Sequence, residues 1–403
     1  MVSVWSYPWC LLSGNPDTTF DELASRGITE ITVAAHYHSI QTLGPRTPDS
    51  LFESYEGGCY FEPNLEDFTE TPIDPPVNHI EGYPNPLQTI TEYASKYGMN
   101  VNAWVVCFHN SKLGLDNPQY RIQSVFGDTH EHAFCPSHSE VRTYFEAVTK
   151  SLAAYDINAI NLESLGFPNV FHTHGATFGH SKNHVVRGSA EELLLSQCFC
   201  PACMAEAEDH HVDMEHAKAT VQELSRRVLE DPSPQITSLA DITDRYPELM
   251  DLFDFRASVI DGFLQRLAQA SGEVALTYSA SDGLGRNPND GWPAGVQLDR
   301  IESSLDRIIS LCYTGDRDIA RERVNQYREA VDIPVDAGFS LDPEIIGSKR
   351  DWESILKHAG SLGEKIHVYN HALMTDAHLD WLQTSFAKPA GTSNNSQGSL
   401  TGR

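Results

Sequence analysis

Eight short runs of apolar and β-branched residues recur along the chain, at 2–7, 28–36, 100–109, 159–165, 274–279, 307–313, 333–339 and 365–370. Each is nearly continuous in hydrophobicity, the pattern of strands buried on both faces, where alternation would mark a sheet with one wet face. Helical patterns lie between most of them, at 86–97, 139–154, 318–330, 352–360 and 377–385. Strand–helix alternation repeated eight times predicts an α/β fold of the (β/α)8 barrel type. Two insertions interrupt the rhythm. Residues 40–85, after strand two, are rich in Pro, Gly and Asp and read as a long loop. Residues 166–270, after strand four, hold a His-rich loop, a cysteine cluster and then helices, the last at about 249–270. Both follow strands, so both are expected on the C-terminal face, where barrel active sites are built. The barrel is expected to span 1–388, with 389–403, made of Gly, Ser, Asn and Thr, as a disordered tail.

Charge narrows the partners. With 28 basic against 56 acidic residues the net charge is −28, the wrong sign for a nonspecific binder of nucleic acid or anionic membrane. Lys is scarce and the acidity is dispersed, which predicts a salt-loving, halophilic host. No apolar run approaches the roughly 18 residues of a spanning helix. The start, MVSVWSYPWCLLSGN, lacks a basic segment and reads as folded protein, so a cytoplasmic location is expected.

Eight cysteines in a chain of this length without a secretory signal do not suggest a disulfide framework. Cys107 and Cys312 lie in apolar runs and read as buried small hydrophobes. Cys198, Cys200 and Cys203 form C-x-C-x-x-C, three thiols on one tight turn, and a tetrahedral zinc needs a fourth ligand. Candidates are Cys135, Cys59, His210, His211 and His216. Four thiolates would leave no open position for water, which makes the metal structural.

These motifs resemble those of the β-galactosidases of glycoside hydrolase family 42 and of related hypothetical, family-10-like glycosyl hydrolases. Cys135-Pro136 with Arg142 and Tyr144 is similar to that family's first cysteine segment, and Cys198-Phe199-Cys200 with Cys203 to its second. The resemblance implies a zinc held by Cys135, Cys198, Cys200 and Cys203, a carbohydrate substrate and a two-carboxylate mechanism. Homo-oligomers are also implied. The family carries adjacent Asn-Glu at the end of strand four, whereas this chain has Asn161-Leu162-Glu163. The family's strand-seven Glu nucleophile has no counterpart before Pro343, where Asp336 and Asp342 stand instead.

Read from the residues themselves, Glu163 ends an apolar run, where desolvation raises a carboxyl pKa as a general acid requires. Asp336, in an apolar strand and expected to point into the barrel mouth, ranks first as the second carboxylate. Asp342 ranks second and Asp282 third. His36, His38, His109, Tyr278, Tyr313 and Asn370 lie near strand ends, and Trp292 lies in a Gly/Asn/Asp loop; all are candidates to contact substrate. Two rival readings use the same residues. In one, His36, His38, His109 and Glu163 form a metal centre of a hydrolase or isomerase. In the other, the barrel binds carbohydrate without turnover.

Overall fold

The computed structural model describes residues 1–46, 50–171, 182–231, 233, 235–359 and 365–386. The expected tail from 389 and much of the His-rich loop lie outside them. Eight parallel strands close into a barrel: β1 (Val2–Ser6), β2 (Glu30–Tyr37), β3 (Asn100–Val106), β4 (Ala159–Glu163), β5 (Ala275–Ala280), β6 (Arg307–Leu311), β7 (Val335–Ser340) and β8 (Ile366–Tyr369). Each strand pairs with its sequence neighbours, and β1 closes the ring by pairing with both β2 and β8, Val4 standing opposite Ile31 and Val368. The (β/α)8 expectation holds, and all eight apolar runs are barrel strands.

The apolar residues divide into two cores. The larger fills the space between the strands and the surrounding helices. A smaller cluster, including Trp5, Tyr7, Trp104, Val106, Ile309 and Leu311, fills the upper barrel interior. Gly338 makes room for it: a Cβ there would stand 3.2 Å from Trp5, Ile309 and Leu311. Below these rings the interior is polar. Ser3, Thr32 and Asn102 share hydroxyl and amide hydrogen bonds, as do Asn161, Thr277 and Ser279. At the N-terminal rim Lys365 pairs with Glu30 at 2.7 Å.

The first insertion is more ordered than a plain loop. It holds an antiparallel hairpin, Ile40–Leu43 with Phe52–Tyr55, and a short strand, Gly58–Cys59, laid against β2. The alternation that would have revealed them is short and set among Pro and Gly. After β3 a helix (Ser111–Asp116) and a hairpin (Arg121–Gln123 with Thr129–Phe134) precede the helix Ser139–Ala153. The second insertion folds as helices Ser189–Leu195, Pro201–Asp209, Met214–Glu230 and Leu239–Arg245, and then the long return helix Pro247–Ser271. Among the described residues no helix is long and apolar enough to cross a membrane.

Candidate active site and cysteine quartet

Glu163 is the last residue of β4 and sits at the barrel mouth. The chain leaves it through Ser164 in the left-handed region (φ 53°), which turns the next two amides back toward the loop after β5. Leu165 N–H and Gly166 N–H both donate to the Asp282 carboxylate at 3.0 Å, and Tyr278 Oη–H donates to it at 2.8 Å. Glu163 and Asp282 share the wall of a cavity of about 470 Å³, with His38, His109, Phe167, Asn169, Glu192 and Arg286 among its other lining residues. Trp104 Nε1–H donates to Glu163 Oε2 at 2.7 Å.

Burial pushes the Glu163 carboxyl up to about 7, with the nearby Asp282 charge adding to the rise and Trp104 and Arg286 opposing it. Burial also raises Asp282, against the pull of its three donors. Because Oε2 accepts the Trp104 N–H, the acidic proton is left to Oε1. A carboxyl that is half protonated near neutral pH beside a second, firmly held carboxylate is equipped for proton transfer.

An aromatic collar rises beside Glu163. Tyr7 Oη lies 3.2 Å from Tyr369 Oη and 3.5 Å from Tyr37 Oη, and burial holds the Tyr7 and Tyr37 phenols well above their ordinary range. Tyr7 stacks on Trp9 at 4.7 Å between ring centroids, and Tyr55 on the far side of Trp9 at 3.9 Å. The three collar tyrosines escaped sequence reasoning. Tyr7 ends its apolar run, Tyr369 is the last residue of β8, and Tyr37 ends β2 one residue past its run, which was the available signal.

The other sequence candidates separate clearly. Tyr313 faces the mouth, with the Arg286 guanidinium 4.4 Å above its ring. His38 stacks on Tyr37 at 4.2 Å and meets His109 edge-on at 5.2 Å, so both histidines reach the cavity. His36 does not. A bulge in β2 turns it outward, where Nδ1 meets Val106 O and Nε2 meets Tyr144 Oη, both at 3.1 Å. Burial lowers this ring to about 4, so it is a neutral core histidine. Tyr278 positions Asp282 from outside the barrel. Asn370 is buried and caps a turn through Ala372 N–H. Trp292 packs edge-on against Phe253 and borders a separate cavity of about 810 Å³ near Gln326 and Glu329.

The expectations for Asp336 and Asp342 require correction. Asp336 is the second residue of β7, so it lies near the N-terminal end of the barrel, far along the strand from the mouth. It is fully buried and saturated: Arg307 donates at 2.7 Å, the His367 ring lies at 3.1 Å, and Lys365 N–H donates at 3.2 Å. Asp342 is exposed, and its side chain accepts from Glu344 N–H, which caps a turn. Asp282 is the carboxylate that the fold brings to Glu163.

The rival metal centre does not assemble. Among the described residues the one group of three or more metal-ligating side chains with converging atoms is Cys135, Cys198, Cys200 and Cys203. All four are buried and their sulfurs lie within 4.8 Å of one another, Cys135 being 3.3 Å from Cys203 and 3.7 Å from Cys200. Sulfurs at about 2.3 Å around a tetrahedral ion stand about 3.8 Å apart, so the donor set fits a metal. Cys135 comes from the entry to helix Ser139–Ala153 and the other three from the turn into helix Pro201–Asp209. Backbone N–H groups of Gln123, Cys200 and Cys203 point at the sulfurs, as they do toward thiolates. Burial, reinforced by its neighbours, pushes the Cys135 thiol well up, whereas hydrogen bonds from the neighbouring thiols pull Cys200 down. The fully buried Arg256 donates to Cys198 O at 3.0 Å and lies 4.5 Å from the Phe167 ring, linking the quartet to the cavity wall.

No protein-family model matches the chain, and no curated protein matches it. Solved structures do. An α-L-fucosidase isoenzyme 2 from Paenibacillus thiaminolyticus aligns over 92% of this chain and 45% of its own, at 12% identity and a TM-score of 0.53. A β-galactosidase from the psychrophilic Marinomonas ef1 aligns over 92% of this chain and 54% of its own, at 12% identity and a TM-score of 0.54. The likeness is one of fold. The chain spans about half the length of either protein.

Proposed function

We propose that the chain is a glycoside hydrolase in which Glu163 is the general acid and Asp282 the second carboxylate. The observation that carries the reading is the pair itself: a near-neutral carboxyl ending β4 and a three-donor carboxylate facing one cavity at the catalytic end of the barrel. Glu163 Oε1 gives its proton to the glycosidic oxygen as the C–O bond breaks. Asp282 stabilises the positive charge that grows at the anomeric carbon. Water then takes the leaving group's place and returns a proton to Glu163. The barrel shared with a fucosidase and a β-galactosidase is in keeping with this reading, as is the family resemblance of the cysteine segments. In the same reading the quartet holds a structural zinc, which ties the insertion after β4 to the barrel and supports Phe167 in the cavity wall through Arg256.

The test is a panel of aryl glycosides with wild type, Glu163→Gln and Asp282→Asn. Glu163→Gln should lose on the order of 10²–10⁴-fold in rate on substrates with poor leaving groups and far less on dinitrophenyl glycosides, which need no acid. Full activity of Glu163→Gln on alkyl glycosides would end the assignment.

A further inference from the structure

Three carboxyl groups line the Glu163 cavity, and the fold treats them differently. Glu163 gives up its proton as the glycosidic bond breaks, and the proton that the incoming water sheds needs an acceptor. Asp282 already has a protein donor on each oxygen: Oδ2 accepts from Leu165 N–H and Tyr278 Oη–H, and Oδ1 from Gly166 N–H. Glu192 is the third carboxyl. It comes from helix Ser189–Leu195 of the second insertion. Its neighbour Glu191 is buried and accepts the N–H groups of Arg187, Gln235 and Ile236, the role of a structural carboxylate. Glu192 instead lines the cavity, half-buried, with Oε2 accepting from Asn169 Nδ2 at 3.2 Å. Among the described residues nothing donates to its Oε1. Asn169 is itself fixed. Its Oδ1 accepts from Phe171 N–H at 2.9 Å, with Ser196 Oγ 3.3 Å away. A backbone N–H can meet only the amide oxygen, so Nδ2 is the atom turned to Glu192. Cys198 follows the helix by three residues, so the cysteine quartet anchors the segment that carries Glu192 to the cavity. One oxygen held by an oriented amide and the other left for water is the arrangement of a general base.

We infer that Glu192 is the general base of the reaction and that hydrolysis inverts the anomeric configuration. The inference rests on the glycosidase reading for its chemistry and on the Asn169–Glu192 geometry for its residue. The C–O bond breaks with its electron pair left on the departing oxygen, which takes the Glu163 proton. A water held by Glu192 Oε1 bonds to the anomeric carbon from the opposite face, and its proton passes to Oε1. Solvent then carries that proton from Glu192 back to Glu163. Inverting enzymes hold acid and base about 6.5–9.5 Å apart, which leaves room for this water. Glu163 and Glu192 stand on separate elements around a cavity of about 470 Å³, which has that room.

The experiment runs Glu192→Gln and Glu192→Ala beside wild type on the panel of aryl and alkyl glycosides and follows the product anomer by proton NMR. Wild type should release the sugar with inverted configuration. Glu192→Gln keeps an acceptor for Asn169. It should lose on the order of 10²–10⁴-fold in kcat on every leaving group, dinitrophenyl included, because water must be activated whatever departs. KM should change little. That pattern separates it from Glu163→Gln, whose loss shrinks as the leaving group improves. Azide is a nucleophile that needs no base. It should restore Glu192→Ala by about tenfold or more and yield the glycosyl azide of inverted configuration, which a residue with a purely structural role would not allow. Unfolding curves check both variants, and the isosteric Gln variant carries the test where Ala melts early. Three results overturn the base and leave Glu163 as the acid: a product of retained configuration, a Glu192→Gln rate on dinitrophenyl glycosides within about twofold of wild type, or a folded Glu192→Ala that azide does not rescue. A wild type that turns over no glycoside ends the hydrolase reading itself, and the base with it.

Discussion

Glu163 is held in a state that favours chemistry over stability. An unfolded chain gives this carboxyl its ordinary value of 4.5, and the fold raises it to about 7. Between those values the native protein binds more protons than the unfolded one, so its stability falls as pH rises through that window. A shift of this size amounts to on the order of 3 kcal/mol at pH 8 and to almost nothing below pH 4. Glu163→Gln keeps a carbonyl to accept the Trp104 N–H and cannot ionise. Urea unfolding should therefore show the variant more stable than wild type at pH 8, with the gap closing toward pH 5. A gap independent of pH would mean that the fold does not raise the pKa of this carboxyl. The same titration shapes activity: the rate on substrates needing an acid should fall as pH rises past about 7, the value at which Oε1 loses its proton. A pH–rate profile flat from 6 to 9 on alkyl glycosides would exclude Glu163 as the donor.

The strands and the cysteine quartet were legible because they are local patterns: continuous apolar runs, and thiols at spacings that only a turn can satisfy. Glu163 was legible for the same reason, as the charge that ends an apolar run. Asp336 misled because its run shows that it is buried but not at which end of the barrel. Four strand residues follow it, which places it at the closed end, where it neutralises Arg307 and engages His367. Arg286 was invisible, and the collar was marked only by tyrosines at strand ends, because loops and strand ends meet only once the barrel closes. Two elements test this picture. Asp336→Asn should destabilise the barrel by about 1–3 kcal/mol by weakening the hydrogen bonds that the buried carboxylate accepts from Arg307 and Lys365 N–H, while leaving kcat unchanged below the unfolding temperature. A kcat loss matching that of Asp282→Asn would return Asp336 to the mechanism. The quartet joins helices Ser139–Ala153 and Pro201–Asp209, so metal is expected to act as part of the fold. Purified protein should carry about one zinc per chain. Cys203→Ser should release it and lower stability by several kcal/mol, with melting temperature and elemental analysis as readouts. A metal-free protein that melts as the wild type does would refute the zinc.

At the scale of the whole molecule, pairing cannot dispose of the charge. Even if each of the 28 basic residues met an acid, 28 of the 56 carboxylates would remain. Many of the ion pairs that do form sit on the outside, as Lys96–Asp17, Arg227–Glu223 and Arg321–Asp318 do, where each is worth little. The surplus therefore acts as a diffuse repulsion that opposes compactness and is weakened by mobile ions. Raising ionic strength from 0.1 to 1 M shortens the screening length from about 10 to about 3 Å, less than the spacing of most surface charges. The pairs at the N-terminal end of the barrel, Arg307–Asp336 and Lys365–Glu30, have buried carboxylates and should weaken much less with those ions. Salt thus removes the unfavourable term and spares the favourable one. The melting temperature should climb steeply between 0.05 and 0.5 M KCl and level off beyond about 1 M, where screening is nearly complete. Sucrose at matched osmolality separates screening from simple exclusion at the surface, because it carries no charge. A melting temperature indifferent to KCl, or one raised equally by sucrose, would show that the net charge of −28 is spread too thinly to matter to the fold.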